Sequence, residues 1–228
     1  MFIGKRNAAG PGTKTVRTAL LALAFPLLLP VVASASQGVD VFVFGGYTTK
    51  SELDGAGTLL GGQLTVDGAA TAGISLGTTT PQNIGIEAMW THQWSGLTFD
   101  PVGGQEMSVS DMSIEQFHAN FLFYPPGHIN APTKPYFLIG LGANIFNPSR
   151  EAADSETRFT WALGLGLKRA VNEKVGFRAQ LRYTPTYIGS NDEGYWCDPY
   201  YGCYTVIDPN YLDQWDFTGG LVFNLGRS

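Results

Sequence analysis

The sequence has few of the residues that metal sites and nucleic-acid-binding surfaces require. Its 228 residues include only two cysteines and three histidines, and their spacing is not that of a zinc site. Lysine and arginine number 14 against 19 acidic residues, so the formal net charge is −5. An acidic chain without a basic cluster argues against nucleic acid as a partner. We therefore expect no metal, no cofactor and no nucleic-acid site.

Long hydrophobic runs are also absent, except near the amino terminus. There, a segment with four basic and no acidic residues precedes the apolar run ALLALAFPLLLPVVA at 19–33. The small residues Ala33-Ser34-Ala35 follow as a cleavage pattern, so we predict a signal peptide over 1–35 and one domain over 36–228. A single membrane anchor is the alternative, although the run is short for a spanning helix. A mature chain without such a run can cross a membrane only with strands.

Glycine and apolar alternation are what the sequence has in abundance. It contains 29 glycines, and aromatic residues make up 13%. In KPYFLIGLGANIF at 134–146, one parity is apolar from Phe137 to Ile145, and the other carries glycine and asparagine. Such alternation predicts a β-strand. Eight segments share it: Gly38–Tyr47, Ala69–Gly77, Asn83–Trp94, Met112–Tyr124, Lys134–Phe146, Thr157–Lys168, Val175–Thr184 and Asp213–Leu225.

The connections between these segments alternate in character. Short or medium turns at 78–82, 125–134 and 170–174 alternate with longer polar loops, of which 185–212 is the longest. This is the pattern of an antiparallel transmembrane barrel. Closure matters because lipid offers no partner to an unpaired sheet edge. We predict an all-β, eight-stranded, up-and-down transmembrane barrel in the bacterial outer membrane.

Alternation by itself does not say which face of a closed sheet points inward. A soluble barrel would place the apolar parity inside, whereas a membrane barrel places the charged parity, with Arg178 and Arg182, in the lumen. Glycines recur on the polar parity, where a narrow lumen is crowded. Aromatic residues gather near the strand ends, as interfacial belts require. Their members are Tyr47, Trp90, Trp94, Trp161, Tyr183 and Trp215.

Four stretches resemble a known family. They are GVDVFVFGGY, ANFLFYPPG with KPYFLIGLGANIF, WALGLGLKRAVNEKVGFRAQLRY, and DFTGGLVFNL. The chain resembles the outer-membrane β-barrel domain of the OmpA and opacity-protein type. The resemblance implies a monomer of the Gram-negative envelope with a structural or surface role, such as envelope integrity or adhesion. It also implies contact with outer-membrane lipid and lipopolysaccharide, and with an extracellular or host partner through the loops.

The polar parity collects charged side chains. An eight-stranded lumen is only wide enough to be filled by its own side chains, and ionised groups there must pair. We expect a plug of ion pairs, with Glu87 and Asp216 as partners of Arg178 and Arg182. A narrow gated channel for small solutes is the alternative. The lumen parity comprises Glu87, Gln116, His118, Arg158, Lys168, Arg178, Gln180, Arg182 and Asp216.

Both cysteines lie in one loop, in WCDPYYGC. After export, Cys197 and Cys203 face an oxidising compartment, and we predict that they form a disulfide that staples the loop. Two free thiols are the alternative. The aromatic tip suits recognition of a partner, and it equally suits covering the barrel mouth.

Catalysis is the third functional hypothesis, as a lipid-modifying barrel enzyme. His118 has Ser113 and Glu115 nearby in sequence, but a strand places both on the opposite face. His92 lies on the outward parity without an evident partner. Because no nucleophile and base share a face, we expect no enzymatic activity.

Overall fold

The computed structural model describes residues 38–53, 62–101, 105–127, 131–149, 155–188, 195–198, 202–205 and 211–226. The predicted signal peptide over 1–35 lies outside these ranges. Within them the secondary structure consists of strands, and no helix is long and apolar enough to span a bilayer. The strands are β1 (Val39–Thr48), β2 (Ser51–Leu53), β3 (Gly62–Val66), β4 (Ala69–Thr79), β5 (Ile84–Pro101), β6 (Met107–Phe123), β7 (Thr133–Pro148), β8 (Glu156–Ala170), β9 (Val175–Tyr187), β10 (Tyr195–Asp198), β11 (Gly202–Thr205) and β12 (Tyr211–Leu225).

Eight of these strands close an antiparallel barrel in the order β1-β4-β5-β6-β7-β8-β9-β12, and β12 pairs with β1 again. The register of the closing pair runs from Val39 opposite Leu225 to Thr48 opposite Asp216. Every barrel strand therefore has a partner on both sides, as a wall in lipid requires. This confirms the predicted fold class.

The eight predicted segments coincide with the eight barrel strands, but several strands run further towards the long loops. The third segment was expected to end at Trp94, whereas β5 continues to Pro101. The fourth was expected to begin at Met112, whereas β6 begins at Met107. Beyond Trp94 the inward-facing residues are apolar, Leu97 among them. The alternation of apolar outward and polar inward residues, which marks the membrane-spanning part of a strand, therefore ends there. Where the outside of a barrel wall meets water, the outward residues are polar and the inward residues are apolar.

Two short hairpins lie where only loops were expected. β2 pairs with β3, and β3 pairs with the far end of β5, from Gly62 opposite Pro101 to Val66 opposite Leu97. β10 and β11 form a separate two-stranded sheet. Neither hairpin shows the apolar alternation of a lipid-facing strand, because neither needs to bury one face in a membrane.

The inward and outward faces differ as expected. In β7, Phe137, Ile139 and Leu141 are exposed on the outer wall, whereas Tyr136 and Leu138 are buried in the lumen. Lumen glycines make room for large neighbours. A Cβ at Gly166 would lie 2.1 Å from the Tyr136 ring.

Candidate functional site

The buried polar side chains of the lumen form the candidate site. We call the side of the short connections 80–83, 124–132 and 171–174 the turn end, and the opposite side the loop end. From the turn end to the loop end, the lumen contains three levels of ion pairs, then neutral amides and hydroxyls, and finally an apolar cluster.

The ion pair between Glu87 and Arg178 crosses the lumen. Glu87 lies on β5 and Arg178 on β9, which are not neighbours in the barrel. Arg178 binds both carboxylate oxygens: Nη1 donates to Oε2, and Nη2 donates to Oε1 at 3.2 Å. Ser75 Oγ and Asn120 Nδ2 also donate to the carboxylate, at 2.8 and 3.1 Å. Both charged side chains are only 5% exposed, so the pair is fully desolvated and charge-assisted.

Aromatic rings and an amide hold the Arg178 guanidinium on its other sides. Its Nε donates to the Tyr136 hydroxyl at 2.7 Å, and its Nη2 donates to Gln180 Oε1 at 2.8 Å. Tyr136 in turn donates to the same Gln180 oxygen at 3.0 Å. The guanidinium carbon lies 4.5 Å from the Phe42 ring centroid and 4.9 Å from that of Tyr136. This geometry suits cation–π contact on two faces.

A second ion pair, Arg182 with Asp216, lies closer to the loop end. The two residues face each other on β9 and β12, and Arg182 donates from Nε and Nη2 to Asp216 Oδ2 at 3.1 and 3.0 Å. Thr48 and Thr184 hydroxyls donate to the carboxylate at 2.7 and 2.8 Å. Arg182 also donates to Gln116 Oε1 at 2.9 Å, which fills most of its donor positions. Arg182 and Asp216 are each 1% exposed.

A third ion pair lies at the turn end. Lys168 binds Asp40, and Asn224 Nδ2 donates to the other Asp40 oxygen at 2.8 Å. Tyr124, just beyond β6 in the turn, packs its ring 5.7 Å from that of Tyr136. Burial raises the pKa of the Tyr124 phenol, which keeps the hydroxyl neutral. Lys168 was expected on the lumen parity, but Asp40 was missed because its strand has two similar faces.

The structure does not bring all the predicted lumen residues together. Glu87, Arg178, Arg182 and Asp216 form the two central pairs. His118 is buried, but neither ring nitrogen has a hydrogen-bond partner in the described part of the chain. Its ring lies over Gly142, where a Cβ would come within 2.7 Å. Arg158 lies apart near the loop end.

Arg158 makes local contacts instead of joining the central pairs. It binds Glu156 on its own strand and donates from Nη1 to the Ile188 carbonyl at 3.0 Å. The side chain keeps 18% of its surface exposed. Arg158 therefore takes no part in the two central ion pairs.

A level of neutral polar groups lies above the Arg182–Asp216 pair. Asn144 Nδ2 donates to Thr186 Oγ1 at 2.8 Å, and Thr160 donates to the Pro185 carbonyl at 3.0 Å. Gln93 and Gln214 are fully buried, yet neither side-chain amide has a partner within the described residues. Buried amides of this kind are normally satisfied by water.

An apolar cluster, which we call the cap, lies inside the barrel wall at the loop end. It was not predicted, because four of its seven members lie outside the predicted segments and only Met112, Ile114 and Phe146 lie within them, at their loop ends. Ile114 is 0% and Leu212 1% exposed, and Ile188 packs against them. The remaining members of the cap are Val66, Leu97, Phe99, Met112 and Phe146.

The predicted disulfide and most of the loop residues lie outside what the structure describes in side-chain detail. The backbone places Cys197 directly opposite Cys203 in the β10–β11 hairpin. Opposed positions in an antiparallel pair have Cα separations within the range of disulfides. The disulfide therefore stays a prediction.

One cluster of ionisable residues outside the lumen was not anticipated. His92 Nδ1 lies 2.5 Å from Glu115 Oε1 on the outer wall, and Trp90 Nε1 donates to Glu115 Oε2 at 2.6 Å. Sequence reasoning left His92 without a partner because the contact depends on the register of β5 against β6. Among the described residues, no three His, Cys, Asp or Glu side chains lie close enough to hold a metal ion.

Comparison with known proteins agrees with the barrel architecture. The family model described as "Outer membrane protein beta-barrel domain" matches residues 18–198. No curated protein sequence matches the chain. The solved structures of similar fold include OprG from Pseudomonas aeruginosa, with 17% identity and a TM-score of 0.57, covering 85% of this chain and 99% of that one.

Two further structures have comparable scores. Neisserial surface protein A has 17% identity and a TM-score of 0.55, and the match covers 82% of this chain and 97% of that one. The outer membrane protein AlkL, solved in lipid bilayers, has 14% identity and a TM-score of 0.54, covering 86% and 94%. At these identities the likeness concerns the fold alone.

Proposed function

Because the chain belongs to the outer membrane protein β-barrel domain family, we propose that it is a structural or surface-interacting protein of the outer membrane whose lumen is plugged by its own side chains. The observation that carries this proposal is the Glu87–Arg178 pair, which reaches from β5 to β9 across the lumen. A solute would have to separate this pair. The four hydrogen bonds that Arg178 donates to Glu87, Tyr136 and Gln180 oppose that separation.

The cap supports the same proposal from the loop end. Its buried apolar side chains include Ile114, Phe146 and Leu212, which exclude water from the mouth of the lumen. An ion entering from outside would meet a dry apolar layer before any polar group, and that entry is costly. The lumen is then closed twice, by apolar packing at the loop end and by ion pairs in the middle.

A plugged lumen leaves the surface as the place where function resides. The long loops carry acidic residues and the WCDPYYGC tip, so we expect the loop end to contact the extracellular surface or a host partner. The outer wall contacts membrane lipid and lipopolysaccharide. One chain pairs all eight barrel strands by itself, which favours a monomer.

The experiment that tests the plug is solute flux into liposomes that contain the folded chain. We expect no swelling in small sugars or amino acids for the natural sequence. The variant Glu87→Ala with Arg178→Ala removes both halves of the crossing pair without leaving a lone charge, and we expect it to admit small solutes. Glu156→Ala, outside the lumen centre, is the control and should stay closed. Swelling with the natural sequence would contradict the plug.

A narrow channel for small polar solutes is the second candidate. The unpaired amides of Gln93 and Gln214 favour a channel, since amides that make no hydrogen bond within the described part of the protein can form hydrogen bonds with a passing solute. A channel predicts flux in the natural sequence that Gln93→Leu reduces, whereas a plug predicts no flux in either protein. No described histidine ring contacts a serine hydroxyl, so we propose no catalytic role.

A further inference from the structure

The apolar outer face of β8 ends at an arginine near the turn end. Leu163, Leu165 and Leu167 are exposed on the outward parity of this strand, and Arg169 is the next residue in that row. Arg169 lies eight residues from Trp161 in the aromatic belt, which at about 3.4 Å per residue and a tilt of about 40° is about 21 Å along the membrane normal. Outer-membrane barrels present an apolar band about 25 Å tall to lipid. Arg169 therefore lies at the headgroup level of the turn end.

The guanidinium of Arg169 has no carboxylate partner. Its neighbours across the sheet are Thr133 on β7 and Phe177 on β9, neither of which is ionisable. The preceding residue, Lys168, turns into the lumen and binds Asp40, whereas Arg169 is exposed on the outer wall. Among the described residues, no ion pair includes Arg169. Its N–H donors are therefore available to a group outside the chain.

A groove of about 460 Å³ lies in the outer wall beside Arg169. It forms over Ala179, which contributes only a methyl group, between the larger side chains of Leu167 and Phe177. Leu167 and Ala179 lie two residues further into the membrane than Arg169 and Phe177, so the groove leads from headgroup level towards the acyl chains. We call Arg169 and this groove the Arg169 site. Its lining includes Thr133, Leu167, Arg169, Phe177, Ala179 and Leu221.

The two ends of the barrel carry charge of opposite sign. Basic residues prevail among the described residues of the turn end, where Lys134, Lys168, Arg169 and Lys174 stand against Asp40 and Glu173. Acidic residues prevail at the loop end, where Glu52, Asp67, Asp100, Glu106, Asp111 and Glu156 stand against Lys50 and Arg158. The short turns of outer-membrane barrels lie on the periplasmic side, where the leaflet consists of phospholipid. A positive turn end attracts anionic headgroups of that leaflet.

We propose that the Arg169 site binds an anionic phospholipid of the phosphatidylglycerol type in the periplasmic leaflet. The guanidinium donates to the phosphate oxygens, for which its planar fork is well suited. The apolar part of the lipid next to the headgroup lies against Leu167 and Ala179. The ammonium of phosphatidylethanolamine would add a positive charge to an end that is already positive, whereas phosphatidylglycerol adds none. The inference goes beyond the plugged lumen and does not depend on it.

Native mass spectrometry of the folded chain, released from detergent, tests the lipid preference. Phosphatidylglycerol and phosphatidylethanolamine with identical acyl chains are titrated separately, and the fraction of protein that carries one lipid gives the Kd of each. We expect the Kd of phosphatidylglycerol to be about fivefold lower, a difference of about 1 kcal/mol. Equal Kd values for the two lipids, or tighter binding of phosphatidylethanolamine, would overturn the proposal.

One pair of variants links the preference to the guanidinium. Arg169→Gln removes the charge at the groove and should make the two Kd values equal. Lys50→Gln removes one positive charge at the loop end, where Lys50 is exposed, and should preserve the preference. A preference that survives Arg169→Gln would overturn the proposal. So would a preference that Lys50→Gln abolishes as completely, because it would then reflect the net charge of the chain and not a site.

A second pair of variants tests the groove without changing charge. Ala179→Leu fills the groove and should weaken the binding of phosphatidylglycerol severalfold. Ala88→Leu, the same change at an exposed outward position on β5, lies on the opposite side of the barrel and should leave binding unchanged. Equal binding by these two variants would overturn the assignment of the lipid to the groove. The comparison of the two lipids on the natural chain decides the question even where a variant does not fold.

Discussion

The two halves of the lumen are built from different chemistry. The turn half holds three ion pairs, with Glu87, Arg178, Arg182 and Asp216 at its centre, while the loop end holds the cap. The difference follows from what surrounds the wall. In lipid the apolar parity must face outward, which leaves polar residues for the lumen. Beyond the membrane the outside faces water, so apolar residues can return to the interior.

The largest effect is expected in the charged half. Arg178→Met removes the partner of a carboxylate that is fully buried, so the free energy of unfolding should fall by about 3–5 kcal/mol. Urea unfolding in lipid vesicles, followed by tryptophan fluorescence, measures this loss. Glu87→Gln combined with Arg178→Met leaves no lone charge and should recover most of the stability. An unchanged unfolding midpoint for Arg178→Met would contradict the assigned ion pair.

The contribution of the cap to the free energy of unfolding should come from apolar packing and not from charge. Ile114→Ala deletes a side chain with no exposed surface, and we expect it to cost about 2–4 kcal/mol in the same unfolding assay. Val171→Ala in a turn, where the side chain is 61% exposed, is the control and should cost little. A loss of stability that is equal at both positions would show that the cap is not packed.

Steric crowding in the charged half gives a smaller effect. Gly166→Ala drives a Cβ to within 2.1 Å of the Tyr136 ring, which must move away from Arg178. We expect a loss of about 1–3 kcal/mol. At Gly219, on the outer wall, the nearest atom to an added Cβ is 3.9 Å away, so Gly219→Ala should be neutral. Equal effects of the two substitutions on the urea midpoint would argue against a crowded lumen.

The smallest effect separates hydrogen bonding from charge. Thr48→Val keeps the volume of the side chain and removes its 2.7 Å bond to Asp216, at an expected cost of about 1 kcal/mol. Asp216 keeps Arg182 and Thr184 as partners, so the ion pair itself should persist. A loss as large as that of Arg178→Met would mean that Thr48 does more than donate one bond.

Local pattern explains why the barrel could be predicted. Strand alternation has a period of two residues, so each of the eight segments could be located by itself. The charged residues on one parity, Arg178 and Arg182 among them, then indicated which face points inward. The inward positions of Glu87, Arg178, Arg182 and Asp216 followed directly. The extensions of β5 and β6 were missed because their inward residues, Leu97 among them, are apolar like those facing lipid elsewhere.

The pattern predicted that Glu87 and Asp216 would pair with arginines, but it did not specify which acid contacts which arginine. Glu87 and Arg178 are 91 positions apart, and Asp40 and Lys168 are 128 apart. Their pairing depends on strand order and on the stagger that closes the sheet, which alternation does not specify. The pairing of His92 with Glu115 likewise depends on the register of β5 against β6. The inward or outward face could be predicted for the residues of every strand except the first, but height along the barrel axis could not.

Planar-bilayer conductance of the folded, purified chain tests the closed lumen most directly. Boiled protein is the control for contaminating channels, and protease protection of the inserted barrel verifies that the chain has entered the bilayer. The account predicts a silent bilayer, because the proposed plug, made of the Glu87–Arg178 pair and the cap, blocks the axis. Reproducible unitary current steps from verified insertions would contradict it, and the polar lining would then be the wall of a pore.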